Sequence, residues 1–259
     1  MQQTHTATLL DGIQDYWTVR SDSYSRQNLQ EMNNWKRRAW REKILSMAPA
    51  EGKLEILDVG TGPGFFAINL ALAGHSVTGV DVTEEMLCHA RENAAAYGAA
   101  PRFLHQSGDA LPFPDGSFDL VVSRNVLWNL ERPVQALREW CRVLRPGGRL
   151  VYFDANWYLY LFDPQVAAER EQSRQTLAAE HALPVPGEKV RMLEDIARML
   201  PLSRCRRPDW DREVLEALGM ELVAVQEDIG PEVLSIRERL EYQPNPMFMV
   251  CAQKGGGSH

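Results

Sequence analysis

Apolar positions along the chain fall into two alternating rhythms. Short apolar runs at 54–59, 76–80, 101–105, 118–123 and 149–154 read as strands. The stretches 65–72, 84–97 and 133–144 carry helical spacing, and Gly74, Gly98 and Gly147-Gly148 follow them as stops. Strands and helices alternating at this length predict a parallel sheet covered on both faces. Ahead of it, Trp40, Ile44 and Met47 at i, i+4, i+7 predict a helix over 28–47, with Pro49 beyond it. The segment 16–24 before that helix is polar and aromatic.

The alternation is interrupted after residue 155. Residues 156–208, rich in Glu, Arg and Ala, read as two or three helices outside the sheet. A helix over 211–218 and strands over 220–228 and 247–253 then resume the pattern. The expected division is an N-terminal helical lid over 1–48, a sheet core over 49–155 and 209–254, and a helical cap insert over 156–208. The terminal Gly-Gly-Gly-Ser-His, 255–259, reads as a linker and tag remnant.

Composition narrows the class little. The 259 residues, 44% apolar and 24% charged, suit a globular protein. A net charge of −7 provides no general basic field for a phosphate backbone, so nucleic acid is not an expected partner. Cys88, Cys141, Cys205 and Cys251 lie far apart, which suggests neither a metal site nor a disulfide framework. The N-terminus lacks a signal-like apolar run, and the longest apolar stretch, 65–74, is too short to span a membrane. A cytoplasmic setting without membrane attachment is expected, and the oligomeric state stays open.

The chemistry concentrates where the first strand meets its helix. Gly60-Thr61-Gly62-Pro63-Gly64 occupies that turn, where glycines let backbone N–H groups approach a ligand. Asp81 ends the next strand 21 residues after Gly60, a position suited to accept hydrogen bonds from ribose hydroxyls. A plain turn at the glycines, with Asp81 capping the helix after Thr83, is the simpler alternative. The third glycine falls one position early for a dinucleotide fingerprint, with Phe65 where that pattern requires glycine. The loop also carries no Lys or Arg to hold a phosphate.

These residues resemble the class I S-adenosylmethionine-dependent methyltransferases, in particular the small-molecule group with a seven-stranded core. Four stretches in the expected order carry the resemblance. They are Ile56-Leu57-Asp58-Val59-Gly60-Thr61-Gly62-Pro63-Gly64, Val80-Asp81-Val82-Thr83-Glu84-Glu85-Met86-Leu87, Gly108-Asp109-Ala110-Leu111-Pro112-Phe113 leading to Ser117-Phe118-Asp119-Leu120-Val121, and Val143-Leu144-Arg145-Pro146-Gly147-Gly148-Arg149-Leu150. The resemblance implies an α/β fold: a doubly wound, Rossmann-like, mostly parallel seven-stranded sheet. It implies S-adenosylmethionine as cofactor, with S-adenosylhomocysteine as product.

It also implies roles. Gly60, Thr61, Gly62 and Gly64 would admit the amino acid part of the cofactor, and Asp58 would orient that loop. Asp81 would hold the ribose, Val82 and Met86 would flank the adenine, Asp109 and Ala110 would meet its edge, and Asn125 would lie near the methionine portion. The expected function is methyl transfer to a nitrogen, oxygen or sulfur nucleophile of a small metabolite.

Direct displacement at a sulfonium needs alignment more than a base, so no catalytic residue is singled out. Candidate acceptor-pocket residues are Tyr16, Trp17, Arg20 and Tyr24 in the lid, Trp128 after the fourth strand, and Asn156, Trp157 and Tyr158 at the start of the cap. Their aromatic rings could enclose a cation or simply pack the cap onto the sheet. Arg204, Arg206 and Arg207 could hold a carboxylate or pair with local acids such as Asp209 and Asp211. A dinucleotide-dependent oxidoreductase and a non-catalytic cofactor-binding protein are the competing readings.

Overall fold

A computed structural model describes residues 8–180 and 188–256. Its centre is a seven-stranded sheet of β1 (Glu55–Val59), β2 (Ser76–Asp81), β3 (Arg102–His105), β4 (Phe118–Arg124), β5 (Leu144–Asp154), β6 (Met220–Gln226) and β7 (Phe248–Lys254). The spatial order is β3-β2-β1-β4-β5-β7-β6, and only β7 runs antiparallel to its neighbours. The chain therefore leaves β1 toward one edge and returns through β4 toward the other. Ligands of open α/β sheets lie above the carboxyl ends of strands at such a reversal.

Side chains alternate across the sheet, so each strand feeds two cores. Ile56, Leu120, Val122, Val151 and Phe153 face one layer with Trp40 and Phe66. Leu57, Val121, Leu150 and Tyr152 face the other with Trp140 and Phe248. The covering helices are α1 (Leu9–Met32), α2 (Lys36–Leu45), α3 (Phe65–Ala71), α4 (Glu84–Tyr97), α5 (Pro133–Val143), α6 (Pro164–Glu180), α7 (Glu188–Met199), α8 (Asp209–Ala217), α9 (Gly230–Val233) and α10 (Ile236–Glu241).

Three elements differ from the sequence pattern. The helix expected over 28–47 is two helices: α1 ends at Met32, and α2 restarts after Asn34, whose side-chain oxygen accepts the Lys36 N–H at 2.8 Å. The polar segment 16–24 lies inside the 24-residue α1, which a Thr8–Asp11 capping box starts. The fifth strand begins at Leu144, five residues before the expected start, with the Pro-Gly-Gly turn absorbed as an irregularity against β4.

A third apolar cluster joins α1 to the segment expected to form the cap. Ile13 and Tyr16 of α1 meet Leu193, Ile196 and Leu200 of the cap, with Trp128 between them. Among the described residues no helix is long and apolar enough to cross a membrane.

Candidate functional site

The first glycine of the loop sits where nothing larger fits. A Cβ on Gly60 would lie 2.2 Å from Val126 Cγ2, and Gly60 and Gly62 hold φ of +65° and +53°. The turn is fixed from both sides: Thr61 N–H donates to the Val80 carbonyl at 2.9 Å, and Gly62 N–H donates to Asp81 Oδ2 at 2.8 Å. The second oxygen of Asp81 accepts the Thr83 N–H at 2.9 Å. Burial pushes the Asp81 carboxyl upward against these backbone bonds. Asp81 thus caps the next strand end and braces the glycine loop, and each carboxylate oxygen keeps a lone pair for a ligand hydroxyl.

Behind the loop Asp58 is 2% exposed and accepts from the Thr61 hydroxyl at 2.6 Å and the Ala67 N–H at 3.1 Å. Burial is the dominant influence and raises its carboxyl to about 7.

Above these residues opens a cleft. Nine of the expected site residues line it: Trp17, Tyr24, Gly60, Gly62, Asp81, Val82, Met86, Asp109 and Asn125. Asp58 and Thr61 line a smaller adjoining cavity with Tyr24, Asn28 and Arg124. The others lie outside the cleft wall. Gly64 starts α3 and faces Ile68, Ala90 and Phe103, while Ala110 is held in a turn through its N–H to the Ser107 carbonyl.

Tyr16, Arg20, Trp128, Asn156, Trp157 and Tyr158 are not among the residues that line the cleft. Tyr16 is buried in the lid–cap cluster. The Arg20 Nε is buried without a partner but does not reach the cleft. Trp128 stacks near Tyr158, with ring centroids 5.1 Å apart, and its indole donates to the Asn125 carbonyl at 3.0 Å. Asn156 makes paired hydrogen bonds with the Arg207 backbone, and the Trp157 indole donates to Asp154 Oδ1 at 2.9 Å.

The arginine run is likewise occupied. Arg207 forks onto Asp211 and reaches Asp154 at 2.5 Å, all within the interior. Arg206 pairs with Asp163, and Arg204 lies over the Phe162 ring. The local-acid alternative is the one the structure displays.

Sequence reasoning missed Arg124, together with the floor residues Gln106 to Gly108 and the rim residues Leu130 to Arg132. Arg124 ends β4 at the sheet's reversal, which is the signal that could have found it. It donates to Glu31 Oε2 at 2.8 Å and lies over the Phe65 ring at 4.7 Å. Burial is the largest single influence and opposes its charge, but Glu31, Tyr24 and Tyr242 together raise the guanidinium above its ordinary range. Among the described residues no cluster of His, Cys, Asp and Glu could hold a metal ion.

The loop, Asp81 and the cleft fit an adenosyl ligand carrying a cation. The acceptors are carboxylates, and no unpaired basic side chain waits for a phosphate among the described lining residues.

Comparison with known proteins agrees. Residues 57–152 match the family model described as a methyltransferase domain. The chain is 41% identical to a demethylmenaquinone methyltransferase of Thermus thermophilus over 117 residues, 44% of this chain and 53% of that protein. The matched part thus spans about half the length of that relative. Against the ubiquinone/menaquinone biosynthesis C-methyltransferase UbiE of Roseobacter denitrificans it is 33% identical over 67% of this chain and 68% of that protein. The solved structure of the [4+2]-cyclase SpnF shares the fold, with a TM-score of 0.56 at 20% identity over 86% of this chain and 81% of that one. With the sheet order, the glycine loop and a relative matched over two thirds of its length in agreement, the chain belongs to the class I S-adenosylmethionine-dependent methyltransferases.

Proposed function

We propose that this chain transfers a methyl group from S-adenosylmethionine to a nitrogen, oxygen or sulfur nucleophile of a small molecule. The observation that carries this reading is the coupling of Gly62 N–H to Asp81 at the floor of the cleft, which fixes loop and ribose-type acceptor as one unit. When bound, S-adenosylmethionine supplies the methyl carbon, whose bond to sulfur breaks as the acceptor's electron pair forms the new bond, leaving S-adenosylhomocysteine. The chain's own task is alignment and exclusion of water. Asp81 would hold the ribose hydroxyls, Val82 and Met86 would pack on the adenine, and Asp109 would meet its edge. Gly60 and Gly62 would admit the amino acid portion, and Asp58 would stabilise its positive charge. Trp17 and Tyr24, carried by α1, close the cleft from above.

A carbon nucleophile is a second reading, favoured because the relative matched over two thirds of its length is named a C-methyltransferase. The cyclase sharing the fold makes measured turnover the necessary test. Calorimetry with S-adenosylhomocysteine is expected to show one site per chain, and acceptor mixtures are expected to yield S-adenosylhomocysteine from S-adenosylmethionine. Binding of NADH in its place, read by fluorescence titration, would transfer the site to the oxidoreductase reading.

A further inference from the structure

One buried carboxylate holds the turn that carries the cleft wall out of β4. Asn125, Val126, Asn129 and Leu130 line the cleft around the 3-10 turn Leu127–Asn129. Val126 packs so closely on the glycine loop that a Cβ on Gly60 would meet it at 2.2 Å. A shift of this turn therefore changes the cleft at the loop itself. The first N–H groups of a helix have no partner within it. Asn129 N–H closes the turn on the Val126 carbonyl at 2.9 Å, whereas Trp128 N–H leaves the turn and donates to Asp154 Oδ2, at the end of β5, at 3.0 Å.

Asp154 is fully buried and fully occupied. Oδ2 also accepts Arg207 Nη1 at 2.5 Å, and Oδ1 accepts the Ala155 N–H at 3.0 Å and the Trp157 indole at 2.9 Å. These donors fill the roughly four lone-pair sites of a carboxylate. Arg207 is placed by the chain just beyond β5. Asn156 Nδ2 donates to the Arg207 carbonyl at 2.8 Å, and the Arg207 N–H donates to Asn156 Oδ1 at 3.0 Å. The rest of the guanidinium forks onto Asp211, which also accepts the Tyr152 hydroxyl. Neither Arg207 nor Asp211 lines the cleft.

Stability alone does not account for this cluster. Apolar side chains of the same volume commonly join a segment to a core at least as well as a buried ion pair does. An apolar group at position 154 could not accept the Trp128 N–H, and the turn would lose its tie to the sheet.

Resting on the methyltransferase reading, we propose that Asp154 is a positioning residue for methyl transfer. Acting through the Trp128 N–H, it sets the wall after β4 against the glycine loop. Through Arg207 it makes that setting depend on how the chain from Asn156 to Arg207 is seated. The shape of the cleft then follows the seating of a segment that contributes none of its lining.

The test uses the full chain with Asp154→Leu and, as its match, Asp211→Leu. Each variant leaves Arg207 one carboxylate, so neither strands a lone buried charge. Only Asp154→Leu takes the acceptor from Trp128 N–H. The first readout is hydrogen exchange of the Trp128 amide by NMR without ligand. In the parent it is expected to exchange as slowly as the amides of β5, and fast exchange there overturns the proposal without any variant. Asp154→Leu is expected to speed it about tenfold or more, and Asp211→Leu to leave it unchanged.

The second readout is S-adenosylhomocysteine affinity by calorimetry, at a temperature where every chain is folded. Asp154→Leu is expected to lower it about tenfold or more, while Asp211→Leu stays near the parent. Equal losses in the two variants mean that the cluster serves the fold alone, and equal losses or an unchanged Asp154→Leu overturn the proposal. Asn156→Ala loosens the Arg207 backbone without touching a buried charge, and it is expected to speed the same amide and to lower the same affinity. An Asn156→Ala chain that matches the parent in both overturns the dependence on Arg207. A parent chain that does not bind S-adenosylhomocysteine would instead remove the methyltransferase reading, while the amide measurements, which need no ligand, still decide whether Asp154 holds the turn.

Discussion

Asp81 works on two sides at once, since its oxygens tie down Gly62 and Thr83 while facing the cleft. Asp81→Ala is expected to weaken S-adenosylhomocysteine binding by about 1–3 kcal/mol, because both the ligand's hydrogen bonds and the brace on the loop are lost; calorimetry reads this directly. Asp58 adds a pH dependence. Its carboxyl is raised by burial to about 7 in the folded chain from 3.8, so the folded state holds a proton that the unfolded chain releases. That contribution to stability is fully present below about pH 4 and is lost as the pH rises through about 7. A cation seated beside Asp58 favours the carboxylate, so S-adenosylmethionine binding is expected to expel a proton below pH 7 and to weaken as pH falls. Calorimetry in buffers of differing ionisation enthalpy will show proton release that vanishes by pH 8.5.

At the scale of elements the strand–turn–helix unit is the least tolerant part of the molecule. Gly60→Ala combines a disfavoured backbone, costing about 1–3 kcal/mol, with the approach of Val126 Cγ2 to 2.2 Å. It is expected to lower the melting temperature and to remove cofactor binding together. This unit was readable in the sequence, because a strand buried on both faces needs a continuous apolar run and a sharp turn out of it needs glycine. Helix α1 was expected only as part of a helical segment over 1–48, and its span was not readable. Its buried face consists largely of Ser21, Ser25, Asn28 and Glu31, so no apolar stripe announces it. Ser21 and Asn28 bond back to the Thr18 and Tyr24 carbonyls, while Glu31 and Ser25 meet Arg124 and Asn93, partners far along the chain that no local pattern contains. For the same reason Trp128, Trp157 and Tyr158 read as pocket walls. Their ring chemistry is visible in the sequence, but the direction in which each ring points is decided by Asp154 and by the lid–cap cluster.

Across the whole molecule the cap is joined to the sheet by buried charge. Arg207 lies between Asp154 and Asp211, and Tyr152 donates its hydroxyl to Asp211 at 2.6 Å. Arg207→Leu leaves two interior carboxylates facing each other and is expected to cost about 3–5 kcal/mol, read as a loss of thermal or denaturant stability. The lid is joined differently. Gln14 of α1 donates to the Val82 carbonyl at 3.0 Å, Thr18 to Glu85 at 3.0 Å, and Ile13 and Tyr16 pack against the cap. A helix so fastened on both sides of the cleft would act as a latch over its contents. In kinetic terms, a product formed beneath α1 would leave only after those bonds and that apolar contact open. Escape rather than bond making is then the expected slow step of a catalytic cycle. The first turnover would outrun all later ones, as a burst of S-adenosylhomocysteine on mixing, and Gln14→Ala would raise the steady rate while leaving the burst unchanged.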